Sequence, residues 1–238
     1  MKFVFRSLAA LTSLVLALPA LGAAGGSYPA PATSTAEVPV AKAAANPHDE
    51  LISAATAAGL ESNVLDLALA ARERAVTAGL TSSPILTVID YSRPSHERRL
   101  WVLNVADGTV LAHEFVAHGR GSGNDVATRF SNRPGSNATS LGTFITGDTY
   151  QGKHGLSLRL RGLDDGLNDN ALARAIVVHG AWYVSPAMIA QYGRLGRSEG
   201  CPALAPDVAP RIIDLIRGHT VVFAYYPSDA LTATLASR

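Results

Sequence analysis

The sequence is poor in several kinds of residue that mark particular classes of protein. Of its 238 residues, only 16% are charged and 6% are aromatic, and the formal net charge is +1. It contains no run of Lys or Arg, so the basic surface of a nucleic-acid-binding protein is missing and we expect no nucleic-acid partner. No internal repeat is present. The length is sufficient for one or two domains with a stable core.

Long hydrophobic runs are absent except at the N-terminus. Lys2 and Arg6 give a positively charged start, residues 8–18 are apolar, and Ala20-Leu21-Gly22 has the small-x-small pattern of a cleavage site. The apolar run is short for a membrane span. We interpret residues 1–22 as a cleaved signal peptide, with a retained membrane anchor as the alternative. We therefore expect an exported protein of the periplasm or cell envelope, with no membrane span after cleavage.

The chain contains a single cysteine, Cys201. Exported proteins usually carry cysteines in pairs, and Cys201 has no partner for a disulfide within this chain. An unpaired cysteine in such a protein indicates either a bond to another chain or a reactive thiol. A buried, inert cysteine that packs as a small hydrophobic residue is the alternative.

The hydrophobic pattern divides the remaining chain into three parts. Residues 23–46 are rich in Ala, Pro, Ser and Thr and have no period, which is typical of a flexible linker. Residues 47–80 have helical periodicity and predict a pair of helices, with Asn46 as the first N-cap. Residues 81–230 have mostly a period of two, so we predict a mainly β domain with flanking helices. Strands are predicted at 85–90, 99–105, 109–117, 142–149, 156–160, 175–179 and 220–226, and helices at 47–58, 62–78, 186–192 and 206–217.

Two segments carry residue types that are suited to nucleophilic catalysis. An apolar strand ends in His179-Gly180, and a glycine-rich loop that begins at residue 193 leads to Cys201. A histidine can take the proton of a thiol near neutral pH, and backbone amides of such a loop can stabilise an oxyanion. Arg194 and Arg197 on the same loop would favour a thiolate. From these residues alone, a structural cysteine beside a core histidine is an equal alternative.

Three motifs make the chain similar to a known family. They are Tyr-x-Gly-x-His-Gly-Leu-Ser-Leu-Arg-Leu at residues 150–160, His-Gly-Ala-x-Tyr-Val at 179–184, and Gly-Arg-Leu-Gly-Arg-Ser-x-Gly-Cys-Pro-Ala at 193–203. Together they resemble the murein L,D-transpeptidase catalytic domain of the YkuD type, in a divergent branch, and the resemblance covers about residues 84–226. It implies the L,D-transpeptidase-like β-sandwich or barrel and cysteine-dependent acyl transfer on peptidoglycan stem peptides.

The resemblance also implies roles for particular residues. Cys201 would be the acylated nucleophile, His179 its base, the Gly180 carbonyl the acceptor that orients the ring, and the amides of Gly200 and Cys201 the oxyanion donors. We expect no cofactor. A zinc site built from histidines has no supporting ligand spacing, so we expect no metal. Candidate substrate-binding residues, each with a structural role as the alternative, are His118, His154, Tyr183, Arg194, Arg197 and Ser198. His118 and His154 are also alternatives to His179 as the base.

The chain departs from the common family motif beside the nucleophile. Glu199 stands where the motif has a histidine, and Pro202-Ala203 replaces an apolar residue followed by Arg or Asn. We expect Arg197 or Arg194 to pair with Glu199, because an unpaired carboxylate there would disfavour a thiolate. Two further functions remain open: an L,D-carboxypeptidase that hydrolyses the same bond, and a non-catalytic peptidoglycan-binding module.

Overall fold

The structure is a computed structural model and describes residues 46–236. The predicted signal peptide (1–22) and the predicted linker (23–46), apart from Asn46, lie outside the described residues. Within residues 46–236, no helix combines the length and the apolar character needed to cross a membrane.

A pair of helices begins the described chain, as the periodicity predicts. They are α1 (Pro47–Ala57) and α2 (Ser62–Thr77). The Asn46 side chain accepts a hydrogen bond of 3.1 Å from the His48 amide and so caps the first turn of α1. One side of α2 is buried along its length, through Val64, Leu65, Ala68, Ala71 and Ala75.

The centre of the fold is one sheet of eight strands in the order β3-β2-β1-β8-β4-β5-β6-β7. The pairs β1–β8 and β6–β7 are parallel, and the other neighbours are antiparallel. Beyond β3 the chain meets β7 through a bridge between Ala117 and Ala203, so the sheet is nearly closed. This confirms the mainly β fold. The strands are β1 (Ile85–Asp90), β2 (Leu100–Asn104), β3 (Thr109–Glu114), β4 (Gly142–Gly152), β5 (Gly155–Gly162), β6 (Val177–Gly180), β7 (Ala203–Leu204) and β8 (Val221–Tyr225).

Apolar layers cover both faces of β1, β2 and β8, because alternate residues of a strand point to opposite faces. Trp101 and Leu103 of β2 belong to the core that contains α1 and α2. Leu100 and Val102 belong to the core that contains α4 (Ala209–Ile216) on the opposite face. The helical pair therefore shares a core with the sheet. The other helices are α3 (Pro186–Tyr192) and α5 (Asp229–Ala236).

The structure differs from the predicted elements where tertiary contacts decide the backbone. β6 begins at Val177 instead of residue 175, because Ala175 has a positive φ of 55° that a strand does not allow. β3 ends at Glu114 instead of residue 117, because the chain changes partner from β2 to β7. The helix predicted at 206–217 is α4 and begins only at Ala209. β7 and α5 were not predicted.

Candidate active site

The pairing of β6 brings the predicted histidine strand to the predicted cysteine loop. In register, His179 lies beside Ser157 of β5 on one side and beside Ala203 of β7 on the other. Because Cys201 lies two residues before Ala203, this pairing places the cysteine loop along the end of β6. His179 and Cys201 both line a cleft of about 640 Å³.

The His179 imidazole is held in one orientation. The side chain is 4% exposed, and Nδ1 lies 2.9 Å from the Gly180 carbonyl oxygen. A carbonyl only accepts hydrogen bonds, so Nδ1 carries the proton and Nε2 of the neutral ring has a free lone pair. Burial lowers the pKa of His179, and the nearby His154 and Lys153 lower it further against the opposing effect of the Gly180 carbonyl. The neutral, basic form is therefore favoured near pH 7.

The Cys201 thiol lies against the backbone before β6 and is half-buried. Sγ accepts a hydrogen bond of 3.4 Å from the Val177 amide and lies 3.8 Å from the Ala175 carbonyl oxygen. Burial raises the pKa of Cys201 and Glu199 adds to that effect, while the Val177 amide, Arg174 and Lys153 act in the opposite direction. The thiol form is favoured until a base takes its proton.

The backbone before the cysteine is fixed by hydrogen bonds from two sides. Ser198 Oγ donates to the Cys201 carbonyl oxygen at 2.6 Å and accepts from the Gly200 amide at 3.1 Å. On the other side, Thr139 Oγ1 donates to the Gly200 carbonyl oxygen at 3.3 Å. Gly200 has a φ of +120°, and a Cβ there would lie 2.8 Å from the Ala138 carbonyl oxygen, so glycine is required.

These contacts bear on two of the predicted roles. The Gly200 amide, predicted to be an oxyanion donor, already donates to Ser198 Oγ. Ser198, predicted to bind substrate, lines the cleft, and its hydroxyl also donates and accepts within the cysteine loop and so helps to fix the backbone around Cys201.

The other candidate residues divide between the cleft and its surroundings. Tyr183, His154 and Arg197 line the cleft together with Cys201. The pKa of Tyr183 is raised to about 12, mainly by burial. Arg197 donates to the Gly123 carbonyl oxygen at 3.0 Å and to Asn124 Oδ1 at 2.9 Å, so it also fixes a neighbouring loop. Arg194 donates to the Leu195 carbonyl oxygen and is not among the residues that line the cleft, so its substrate-binding role stays a prediction.

His118, a candidate substrate-binding residue, has a fully buried side chain that does not line the cleft. Its Nδ1 lies 2.8 Å from Nη2 of the equally buried Arg99. A guanidinium only donates, so Nδ1 is the acceptor. Burial lowers the pKa of His118 to about 4, with Arg99 acting in the same direction. Its backbone supports the site, since the His118 carbonyl oxygen accepts from the Ser198 amide at 2.9 Å.

The prediction that Glu199 pairs with Arg197 or Arg194 is wrong, because Glu199 lies beside Arg120 instead. The carboxylate lies 3.4 Å from Nη2 of Arg120, and both side chains are well exposed. Arg197 instead bonds to Asn124 and the Gly123 carbonyl. Arg120 was overlooked because it lies far away in sequence and meets the loop only when residues 119 and 198 pair.

The structure adds cleft residues that the sequence analysis did not single out. Lys153 and Tyr150 line the cleft from the β4–β5 hairpin, and they belong to the motif at residues 150–160, which was a usable signal. Arg174 lies on the irregular segment before β6 and also lines the cleft. No sequence pattern distinguishes Arg174 from a surface arginine. Within residues 46–236, no group of three or more His, Cys, Asp or Glu side chains is arranged to hold a metal ion.

The structure combines a nearly closed β-sheet with one cleft that contains a cysteine and an oriented histidine. The chain belongs to the L,D-transpeptidase catalytic domain family, whose sequence profile matches residues 56–225. The members of this family are enzymes. No protein of curated function matches the chain.

Solved L,D-transpeptidase structures are similar to this chain at low identity. One from Mycobacterium smegmatis is 18% identical with a TM-score of 0.38, over 60% of this chain and 59% of that chain. One from Xylanimonas cellulosilytica is 19% identical with a TM-score of 0.36, over 64% and 68%. The helical cell shape determining protein Pgp2 from Campylobacter jejuni is 11% identical with a TM-score of 0.39, over 67% and 56%. The chain thus spans about three fifths of the length of the mycobacterial structure.

Proposed function

We propose that the protein is an exported cysteine-dependent L,D-transpeptidase that acts on peptidoglycan stem peptides. The observation that supports this most directly is the cleft shared by Cys201 and His179, with the histidine oriented by the Gly180 carbonyl. Family membership supports the substrate class, and the N-terminal residues 1–22 support export to the periplasm or cell envelope.

The proposed reaction uses two side chains and one thioester intermediate. His179 Nε2 takes the proton of the Cys201 thiol, and Sγ attacks the carbonyl carbon of the third residue of a tetrapeptide stem. The bond to the terminal D-amino acid breaks, and the imidazolium of His179 returns its proton to the leaving amine. An amine of a second stem then attacks the thioester, loses its proton through His179 and forms the new amide, while Cys201 regains its proton.

The backbone amide of Cys201 is the proposed donor to the oxyanion that forms at each attack. The Gly200 amide joins it when Ser198 Oγ releases that N–H. Tyr183, His154 and Arg197 are the proposed substrate contacts, since they line the same cleft. The cleft has more cationic than anionic side chains, with Lys153, Arg174 and Arg197 against Glu199, which suits a peptide that carries carboxylates.

Mass analysis of muropeptides tests this proposal. Purified protein is incubated with tetrapeptide-containing muropeptides, with Cys201→Ala as the matched control. A cross-linked product with loss of one D-amino acid supports transpeptidation. Tripeptide products alone support the L,D-carboxypeptidase. Binding to peptidoglycan with no product from either protein supports the non-catalytic module and contradicts the proposal.

A further inference from the structure

We propose that Arg174 is the positioning residue that supplies the positive charge for the Cys201 thiolate, the role expected from sequence for Arg194 or Arg197. The proposal extends the proposed function, because it concerns how the same nucleophile is activated. Arg174 acts through its place beside the nucleophile loop and takes no part in proton transfer. The proton of Cys201 still passes to His179, and Arg174 stabilises the negative charge that stays on Sγ.

The Arg174 guanidinium is fixed against the residue that precedes the nucleophile. Its Nη2 lies 3.2 Å from the position that a Cβ on Gly200 would occupy. Nη1 donates to the Ser131 carbonyl oxygen at 2.7 Å and to Ser140 Oγ at 2.5 Å, and Nη2 donates to the Ala138 carbonyl oxygen at 2.6 Å. All of these acceptors are neutral, so they hold the guanidinium in place and leave its charge uncompensated.

No carboxylate within residues 46–236 lies at ion-pair distance from Arg174. A partly buried guanidinium without a carboxylate partner is unfavourable unless another negative group uses its charge. Cys201 lines the same cleft and becomes negative when it gives up its proton. A thiolate at Cys201 therefore fits the unmatched charge of Arg174.

The arginines of the cysteine loop are used elsewhere. Arg197 donates to the Gly123 carbonyl oxygen and to Asn124 Oδ1, so its guanidinium is held against a neighbouring loop. Arg194 donates to the Leu195 carbonyl oxygen. At position 203, where the common family motif has Arg or Asn, this chain has Ala203. Arg174, from a different segment, lies against Gly200 and is the arginine whose charge acts on the Cys201 thiol.

Other titratable groups also act on the thiol and must stay constant in a test. Glu199 opposes the thiolate, while Lys153 favours it. The charges of these and other neighbours are unchanged by a substitution at Arg174, so a difference between variants reports on that guanidinium. Besides Arg174, the titratable neighbours of the cysteine are Tyr91, Tyr150, Lys153, His154, His179, Tyr183, Arg197 and Glu199.

The experiment is a pH profile of Cys201 alkylation by iodoacetamide, followed by intact mass. Arg174→Gln keeps hydrogen-bond donors for the Ala138 region and removes the charge. The midpoint of its alkylation profile should rise by about one pH unit. Alkylation near pH 7 should then be about tenfold slower than in the wild type. Arg174→Lys restores the charge and should return the midpoint most of the way to that of the wild type.

Ser140→Ala separates the charge from the structural contact. It removes one acceptor of the guanidinium and leaves the charge in place, so its profile should match the wild type. Arg174→Gln and wild-type profiles that superimpose would overturn the proposal, and so would an equal shift in Ser140→Ala. Should Arg174→Gln fail to fold, the alkylation profiles of Arg197→Gln and Arg194→Gln decide. A rise of about one pH unit in the midpoint of either variant overturns the proposal, and unchanged midpoints support it.

The outcome is independent of the proposed function, because alkylation needs no peptidoglycan. A shifted profile in a protein that makes no muropeptide product supports Arg174 and contradicts the transpeptidase. If the wild type makes cross-linked products while Arg174→Gln leaves the alkylation profile unshifted, the transpeptidase proposal is supported and the role of Arg174 is contradicted.

Discussion

The imidazole ring of His154 packs against that of His179 in a tilted arrangement, with centroids 4.5 Å apart and ring planes inclined by 31°. His154 lies in the turn between β4 and β5, and His179 lies in β6, which pairs with β5. His154 is exposed and covers one face of the buried base. Its nearby charge lowers the pKa of His179, in addition to the larger effect of burial. The histidine of the hairpin therefore helps to keep the base neutral.

Replacing His154 should shift the pH dependence of the reaction. In His154→Ala, the base loses a nearby positive charge and becomes more exposed to solvent, and both changes raise the pKa of His179. Because only the neutral imidazole accepts a proton, the acidic limb of kcat/KM should move to higher pH. His154→Phe keeps a ring over His179 and should shift less. His48→Ala, at an exposed position of α1, should leave the limb unchanged. An unshifted limb in His154→Ala would contradict this interpretation.

Removing the base itself should slow acylation by about two to four orders of magnitude, the usual range for loss of general-base assistance. The variant is His179→Ala, and the measurement is the rate of thioester formation by stopped-flow or quenched mass spectrometry. His118→Ala should cost much less in this rate, because His118 is buried outside the cleft. The roles must be exchanged if His118→Ala is the more damaging change in a folded protein.

Cys201→Ala should abolish turnover and covalent labelling, since no other thiol exists in the chain. Wild-type protein incubated with a carbapenem should gain the mass of one inhibitor molecule. Cys201→Ser should also be inactive, because the hydroxyl is a much weaker acid than a thiol and is poorly activated by histidine. An adduct on the alanine variant would show that another residue is acylated.

Acid should destabilise the protein through His118. Its pKa is about 4 in the folded state, while an unfolded histidine titrates near about 6.5. Between these values the unfolded state binds the proton and the folded state does not, so stability falls as the pH drops from about 6.5 to about 4. The loss is on the order of 3 kcal/mol, and above about pH 6.5 the full stability is present.

Denaturant unfolding at several pH values measures this loss. His118→Gln keeps an acceptor for Arg99 but has no proton to gain, so its unfolding free energy should depend less on pH over this range. Other groups with lowered pKa values, such as His179 and Asp125, are present in both proteins and cancel in the comparison. Parallel curves for wild type and variant would exclude His118 as the source.

Gly200→Ala should displace the nucleophile. The new Cβ would lie 2.8 Å from the Ala138 carbonyl oxygen, so the loop must move in addition to carrying a strained φ. Gly166→Ala is the matched control, because Gly166 has a φ of +78° and nothing within 4 Å of its Cβ position. The control should cost only about 1–2 kcal/mol of backbone strain. Gly200→Ala should cost more and also slow alkylation of Cys201, whereas equal effects would contradict a tight fit.

The sequence determined the parts of this protein that rest on local patterns. The periodicity of residues 62–78 predicted α2, and the Asn46-Pro47 pair predicted the start of α1, because caps and amphipathic faces depend on neighbours within a few residues. The apolar strand that ends in His179 and the loop that carries Cys201 were equally visible. Their motifs predicted the family, which the sequence profile confirms over residues 56–225.

Only the tertiary structure decided which side chains surround the nucleophile. Arg120 pairs with Glu199, Arg99 buries against His118, and Arg174 lies beside Gly200, each from a segment far away in sequence. The Ser198 hydroxyl and the Gly200 amide bind one another because the loop is held between residue 118 and Thr139. Such contacts depend on how distant segments pack, and charge or hydrogen-bond capacity in the sequence does not specify a partner. The cysteine and the histidine of the cleft could thus be predicted from local motifs, while their electrostatic surroundings required the folded sheet.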